Sequence, residues 1–149
     1  MRLVLYQPEI PQNAGTLLRM AACFGISVDM IEPLGFVFSE RRMRRAGMDY
    51  IDFVDLSIHT SWHAFQAQQT KRRLILLSPS ASLSYVNFQF EKSDALMVGR
   101  ESDGVPEGVK KECSYQISIP MKSGFRSLNV AIAASMVLGE ALRQTGFEV

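Results

Sequence analysis

Asparagine, arginine, glutamate and glycine are concentrated in three short stretches of this chain. They are Pro11-Gln12-Asn13-Ala14-Gly15-Thr16-Leu17-Leu18-Arg19, Gly99-Arg100-Glu101-Ser102-Asp103-Gly104-Val105-Pro106 and Ile119-Pro120-Met121-Lys122-Ser123-Gly124-Phe125-Arg126-Ser127-Leu128-Asn129-Val130. The last sets a polar, cationic turn at the mouth of an apolar helical pattern, and three such stretches in one small chain suggest one composite site. Arg19 interrupts an otherwise apolar helical run, where a guanidinium needs an anion, either Glu101 or Asp103 within the protein or a group on a ligand. Asn13 and Gly15 are open to a plainer reading as helix cap and turn residue. Gly99 and Gly104 follow the apolar run Ala95 to Val98. At the carboxyl end of a strand they would let a ligand approach the backbone, although alone they also suit a surface turn.

Other chemistries find less support. The glycines do not have the GxGxxG spacing, and no acidic residue ends a following strand to hold a ribose, which speaks against a dinucleotide site. His59 and His63 are four apart, but no glutamate follows His59 and no third ligand is in view, so no metal is expected. Ser57 and Ser61 stand outside any nucleophile-elbow context. Cys23 and Cys113 are isolated, which reads as two reduced thiols in a cytoplasmic protein.

These residues must be held by an alternation of short strand-like and helical runs, the pattern of an α/β chain with a mostly parallel sheet flanked by helices. The spacing predicts strands at Leu3 to Tyr6, Val28 to Ile31, Phe53 to Leu56, Leu74 to Leu77, Ala95 to Val98 and Tyr115 to Ile119. It predicts helices at Thr16 to Phe24, stopped by Gly25, at Ser61 to Gln69, opened by a serine cap, and at Leu128 to Gln144. The last is apolar nearly all round, so either its own sheet or a second subunit should cover it. Pro79 to Asn87 reads as a loop.

The 149 residues fit one domain spanning 1–149, and 47% hydrophobic with 21% charged residues is ordinary for a globular protein with a real core. The apolar start is cut off by Gln7, Pro8 and Glu9, and the run Val130 to Leu138 is stopped by Gly139 and Glu140, so neither an export signal nor a membrane span is expected. The net charge of +1 argues against a dedicated nucleic-acid binder by its sum. Its distribution says more: Arg41, Arg42, Arg44 and Arg45 crowd one window, Lys71, Arg72 and Arg73 another, and Lys122 with Arg126 flank the third stretch. Tyr50, close to the first cluster, is the aromatic residue best placed to meet a base.

In their order and distances, the three stretches resemble the three motifs of the SPOUT class of RNA methyltransferases. Leu5-Tyr6-Gln7-Pro8-Glu9-Ile10-Pro11-Gln12-Asn13-Ala14-Gly15, then Ile31-Glu32-Pro33-Leu34-Gly35-Phe36, then Arg44-Arg45-Ala46-Gly47-Met48-Asp49-Tyr50 resemble more narrowly the small tRNA wobble (cytidine/uridine) 2'-O-methyltransferases. The resemblance implies an α/β knot, a deep trefoil on the C-terminal side, with S-adenosylmethionine as cofactor, tRNA as substrate and a homodimer as working unit. It implies that Asn13 and Arg19 are catalytic and that Leu77, Gly99, Glu101, Gly104, Ile119, Ser127, Leu128 and Asn129 hold the cofactor. Arg42, Arg45, Tyr50 and Arg126 would meet RNA. Arg100 stands where relatives often have proline, and the turn Lys122 to Phe125 also departs from their commoner form. The rival readings are a 2'-O-methyltransferase for ribosomal RNA or another tRNA position, and a non-catalytic RNA-binding module of the same fold.

Overall fold

The computed structural model describes residues 1–39, 50–69 and 72–147. In chain order the elements are β1 (Arg2–Tyr6), α1 (Pro11–Cys23), β2 (Ser27–Ile31), a 3-10 turn (Ile51–Phe53), β3 (Leu56–His59), α2 (Trp62–Gln68), β4 (Leu74–Leu77), β5 (Leu83–Ser84), a second 3-10 turn (Tyr85–Asn87), β6 (Ala95–Val98), α3 (Glu107–Glu112), β7 (Tyr115–Ser118) and α4 (Val130–Thr145). Among the described residues seven strands form one sheet in the order β3-β2-β1-β6-β4-β7-β5, with every pair parallel. Leu3 is in register with Val28 on one side and Leu96 on the other, so β1 is an interior strand beside the central β6.

Continuous apolar runs such as Leu74-Ile75-Leu76-Leu77 and Ala95-Leu96-Met97-Val98 suit this position, because helices cover a parallel sheet on both faces. On one face Leu3, Leu5, Val28, Met30, Leu96 and Val98 meet Leu17 and Leu18 of α1 and Val137 and Leu138 of α4. On the other, Val4, Tyr6, Leu76 and Met97 meet Phe65 of α2 and Val109 of α3.

The predicted elements differ from the observed ones in instructive places. Helix α1 begins at Pro11, five residues before the predicted start, because a proline at the first helical position has its φ preset and lacks only an N–H that would be unpaired anyway. Asn13 is therefore inside the helix and not its cap. The helix ends at Cys23, just ahead of the expected stop at Gly25, whose φ is 63. The third strand is Leu56–His59 and not Phe53 to Leu56. Phe53 is 75% exposed on the 3-10 turn, while His59 is buried against Asp29 with Nε2–Oδ1 2.8 Å, so in this strand the histidine faces inward and Ile58 outward. That inverted polarity defeats an apolar-in reading, and it removes His59 and His63 from a common helix face. The predicted loop Pro79 to Asn87 contains β5 and a 3-10 turn, and the six-residue α3 has too little apolar periodicity to be read from sequence.

Candidate functional site

The loops following β1, β6, β4 and β7 gather at the carboxyl ends of their strands, where ligands settle in open α/β sheets. They surround a cleft of about 1070 Å³. Its walls include Leu76, Leu77, Val98, Val105, Ile119 and Leu128, and its rim carries Asn13, Arg100, Glu101, Asp103, Arg126, Ser127 and Asn129. All eight residues expected at a cofactor line it, from Leu77 through Gly99, Glu101 and Gly104 to Ile119, Ser127, Leu128 and Asn129.

One chain of side-chain bonds joins the three stretches singled out in the sequence. Asn129 caps α4, its Oδ1 accepting from the Ala131 and Ile132 amides at 2.9 and 3.3 Å. Its Nδ2 donates to Asn13 Oδ1 at 3.0 Å, and Asn13 Nδ2 donates to Glu101 Oε1 at 3.0 Å. The Glu101 carboxylate also accepts from the Glu9 amide at 2.8 Å and the Ile10 amide at 3.3 Å. Asn13 is 8% exposed and both ends of its amide are engaged, so it links one loop to another.

The second stretch is a tight hairpin. The Arg100 amide donates to the Gly104 carbonyl at 2.9 Å and the Gly104 amide to the Arg100 carbonyl at 3.1 Å. A Cβ on Gly99 would stand 2.6 Å from the Gly104 backbone carbon, which bars any side chain at that position. The hairpin is tied to the first stretch a second time, for the Glu9 carboxylate accepts from the Ser102 amide and from Ser102 Oγ, each at 2.9 Å. Arg100 donates to Gln7 Oε1 and pairs with Asp103 at 3.2 Å. Gln7, Glu9, Arg100 and Ser102 were not among the residues expected at the site. The signal for them was present in Gln7 and Glu9 on either side of Pro8 and in the polar run Arg100 to Asp103, yet a sequence does not say that such a loop faces a particular hairpin 93 residues away.

Arg19 lies apart. It is exposed on α1 and does not line the cleft; its guanidinium carbon sits 4.7 Å from the centre of the Tyr50 ring. Glu101 is engaged with Asn13 and backbone amides, and Asp103 with Arg100, which are the two carboxylates an internal ion pair was expected to use. Arg126 is exposed on the cleft rim. Arg42 and Arg45, like Arg41 and Arg44, fall outside the described residues. Among the described residues no group of acidic, histidine and cysteine side chains is arranged to hold a metal, and no helix is long and apolar enough to cross a membrane.

Away from the cleft, Arg2 grips Asp29 through Nε at 2.6 Å and Nη2 at 3.1 Å, with His59 on the same carboxylate. Burial alone would raise the Asp29 carboxyl, but its bonds to Arg2 and His59 outweigh this and hold it below the usual carboxylate range. Burial pushes the Cys113 thiol up to about 11, with Glu112 adding to the effect, so it is inert as a nucleophile at neutral pH.

The model of the SpoU rRNA methylase family matches residues 1–139, which takes in all three stretches. The chain belongs to this family. Among its SpoU-family relatives, a tRNA (cytidine(34)-2'-O)-methyltransferase of Beijerinckia indica is 57% identical over 97% of this chain and 91% of its own length. A protein of the same name in Escherichia coli K12 is 36% identical, over 99% and 95% respectively. A structure solved in a study of the 2-OH methylation of C/U34 on tRNA superposes with a TM-score of 0.89 at 42% identity, covering 96% of this chain and 89% of that one. In this SpoU-family chain the ties between hairpin and first loop are carried by Glu101, Asn13 and Glu9, and the cap of α4 is the same residue that reaches Asn13.

Proposed function

We propose that the protein is a tRNA 2'-O-methyltransferase that moves a methyl group from S-adenosylmethionine to the ribose of nucleotide 34, a cytidine or uridine at the wobble position. The observation that carries this reading is the Asn129–Asn13–Glu101 chain at the carboxyl ends of the strands, in a chain matched along almost its whole length by relatives bearing that name. The single domain, the cytoplasmic location and the C-terminal knot are proposed with it. The knot is supported by the path from β7, near one edge of the sheet, back to α4, which packs on α1 and β6.

The cleft residues fit the cofactor. Leu77, Val98, Val105, Ile119 and Leu128 offer apolar walls to an adenine ring, and the thin backbone of Gly99 and Gly104 leaves polar main-chain groups within reach of a ribose and an amino-acid tail. Bound there, S-adenosylmethionine would supply an already activated methyl group on a sulfonium centre. The residues of the chain then need to align the ribose hydroxyl and steady negative charge on its oxygen. We assign the second task to Arg19, a permanent cation; a guanidinium does not lose its proton near neutral pH, so it acts by charge and not as a base. Asn13 acts by holding the two loops, and Arg126, Tyr50, Arg42 and Arg45 are assigned to the RNA.

A homodimer is part of this reading. On α4, Ile132 is 57% and Met136 41% exposed, next to exposed Leu128 and Phe125, an apolar face that a second copy would cover. Helix α1 packs beside α4, with Ser135 Oγ 3.0 Å from Met20 Sδ, so a partner on α4 also comes close to Arg19. Arg19 would thus serve a cleft that its own chain does not place beside it. The decisive experiment is methylation of bulk tRNA lacking the wobble modification with labelled S-adenosylmethionine, followed by mapping of the product. Label at position 34 is expected; label elsewhere, or in ribosomal RNA only, would replace the proposal with one of its rivals.

A further inference from the structure

Gln7 and Arg100 have no role in the chemistry assigned above, yet the geometry around them is costly. Gln7 has φ 48, and among the described residues no other non-glycine has a positive φ. A side chain in the left-handed region costs roughly 1–2 kcal/mol, and it persists where the surroundings enforce it. Here they do. The Gln7 amide donates to the Ile31 carbonyl at 3.0 Å, and its Nε2 donates to the Glu32 carbonyl at 3.2 Å. Its Oε1 accepts from Arg100 Nε at 2.9 Å and Nη2 at 2.6 Å. The two ends of the amide face partners of opposite kind, which fixes its orientation.

Arg100 is held with equal thoroughness. Nη1 meets Asp103, the guanidinium lies 5.6 Å from the centre of the Tyr6 ring, and the backbone closes the 100–104 hairpin through Gly104. Gln7 is the first residue after β1 and Arg100 the second after β6, so their contact bridges neighbouring strands just where the two site loops leave the sheet. Beyond it the same loops are joined again by Glu9 with Ser102 and by Glu101 with Asn13. At position 100 the structure places a fork-shaped donor with a glutamine oxygen to receive it.

We infer that Arg100 and Gln7 are positioning residues: their contact sets the loop that leads into α1 against the cleft, and with it Asn13 and the helix that carries Arg19, and so fixes the alignment on which methyl transfer depends. The inference rests on the function proposed above. A contact that only stabilises the fold would lower the melting temperature when cut and leave the rate of the remaining folded protein unchanged.

Gln7→Asn separates these. Asparagine tolerates the left-handed conformation but is one methylene too short to receive Arg100, so the eased strain offsets part of the lost bonds and the melting temperature should fall by a few degrees at most, leaving the variant folded in the assay. The affinity for S-adenosylhomocysteine should stay within about twofold, because Gln7 does not line the cleft, while single-turnover methylation at saturating cofactor and tRNA falls on the order of tenfold or more. Arg100→Lys, which keeps the charge and loses the fork, should show a similar loss of rate, and the double variant should be no slower than the slower single variant. A wild-type rate in Gln7→Asn, or losses that multiply in the double variant, overturns the inference. Wild-type protein measured in parallel keeps the two readings apart, since its failure to methylate position 34 strikes the proposed function alone. The clasp is then decided by amide hydrogen exchange in Ala14 to Arg19, which should quicken in folded Gln7→Asn; unchanged exchange there overturns it.

Discussion

Replacing Arg19 by alanine puts a structural and a chemical reading of one residue on a common scale. In the fold the Arg19 guanidinium stacks on Tyr50 at 4.7 Å, and both residues are exposed. Such a contact is worth about 0.5–1 kcal/mol, and alanine gains slightly in helix propensity. The net loss of stability is therefore at most about 1 kcal/mol, or roughly 2–4 °C in melting temperature for a chain of this size. Against a total stability on the order of 5–15 kcal/mol, the folded fraction stays above about 99%. Removing one charge-stabilising donor from a reaction, by contrast, costs on the order of a hundredfold to a thousandfold in rate, equivalent to about 2.7–4 kcal/mol. A hundredfold loss in Arg19→Ala cannot then come from unfolding. The assay is single-turnover transfer from labelled S-adenosylmethionine to unmodified tRNA, with the melting curve and S-adenosylhomocysteine titration measured on the same preparation. Cofactor affinity should be close to normal, since Arg19 does not line the cleft. Arg19→Lys should recover little, and Tyr50→Ala should reproduce the small loss of stability. A full rate in Arg19→Ala would refute the catalytic assignment.

Asn13→Ala removes two bonds of the chain that joins the loops and should cost about 1–3 kcal/mol together with a weaker S-adenosylhomocysteine titration. Asn13→Asp should be worse than alanine at neutral pH, because it sets a second carboxylate against Glu101, and should improve on mild acidification; equal behaviour of the two variants at all pH values would discredit the geometry. Met136→Glu on the exposed face of α4 should leave a lone chain nearly as stable as before but turn a particle of twice 16.7 kDa into one of 16.7 kDa by light scattering and abolish methylation. A wild-type protein of 16.7 kDa would rule out the dimer. Because Asp29 is held below its unfolded value, its contribution is complete above about pH 4 and is lost as the pH falls through the lower folded value. The urea midpoint should therefore drop below about pH 4 in the wild type and less steeply in Asp29→Asn, and parallel curves would show that the Arg2–Asp29–His59 cluster is not the cause.

How much of this was legible in the sequence depended on whether local pattern or distant pairing decides an element. The strands Leu74 to Leu77 and Ala95 to Val98 were readable because burial on both faces demands unbroken apolar runs. The strand Leu56–His59 was not, since its inward residue is a histidine stabilised by Asp29 on the neighbouring strand, and an ionic partner leaves no periodic trace. The cleft residues were reached by family resemblance, and all eight line the cleft. Residues that act through partners across the fold were harder: Asn13 looked like a cap, but it lies inside α1 and bonds Glu101 and Asn129, and Gln7, Glu9 and Ser102 acquire meaning only when β1 and β6 are seen side by side.

The same pairing explains how a chain with a net charge of +1 can suit a polyanionic substrate. Charge acts locally, because salt screens exposed charges beyond about 8–10 Å. Near the cleft the acidic side chains are engaged by neighbouring groups: Glu101 by the Glu9 and Ile10 amides, Glu9 by Ser102, and Asp103 by Arg100. Part of each carboxylate charge is thereby balanced by the groups that bind it. Lys122 and Arg126 stand exposed on the loop opposite, and Arg19 on the helix beyond. The potential that a phosphate meets there is set by these cations more than by the total, so the near-neutral sum over the whole chain does not describe the charge around the cleft.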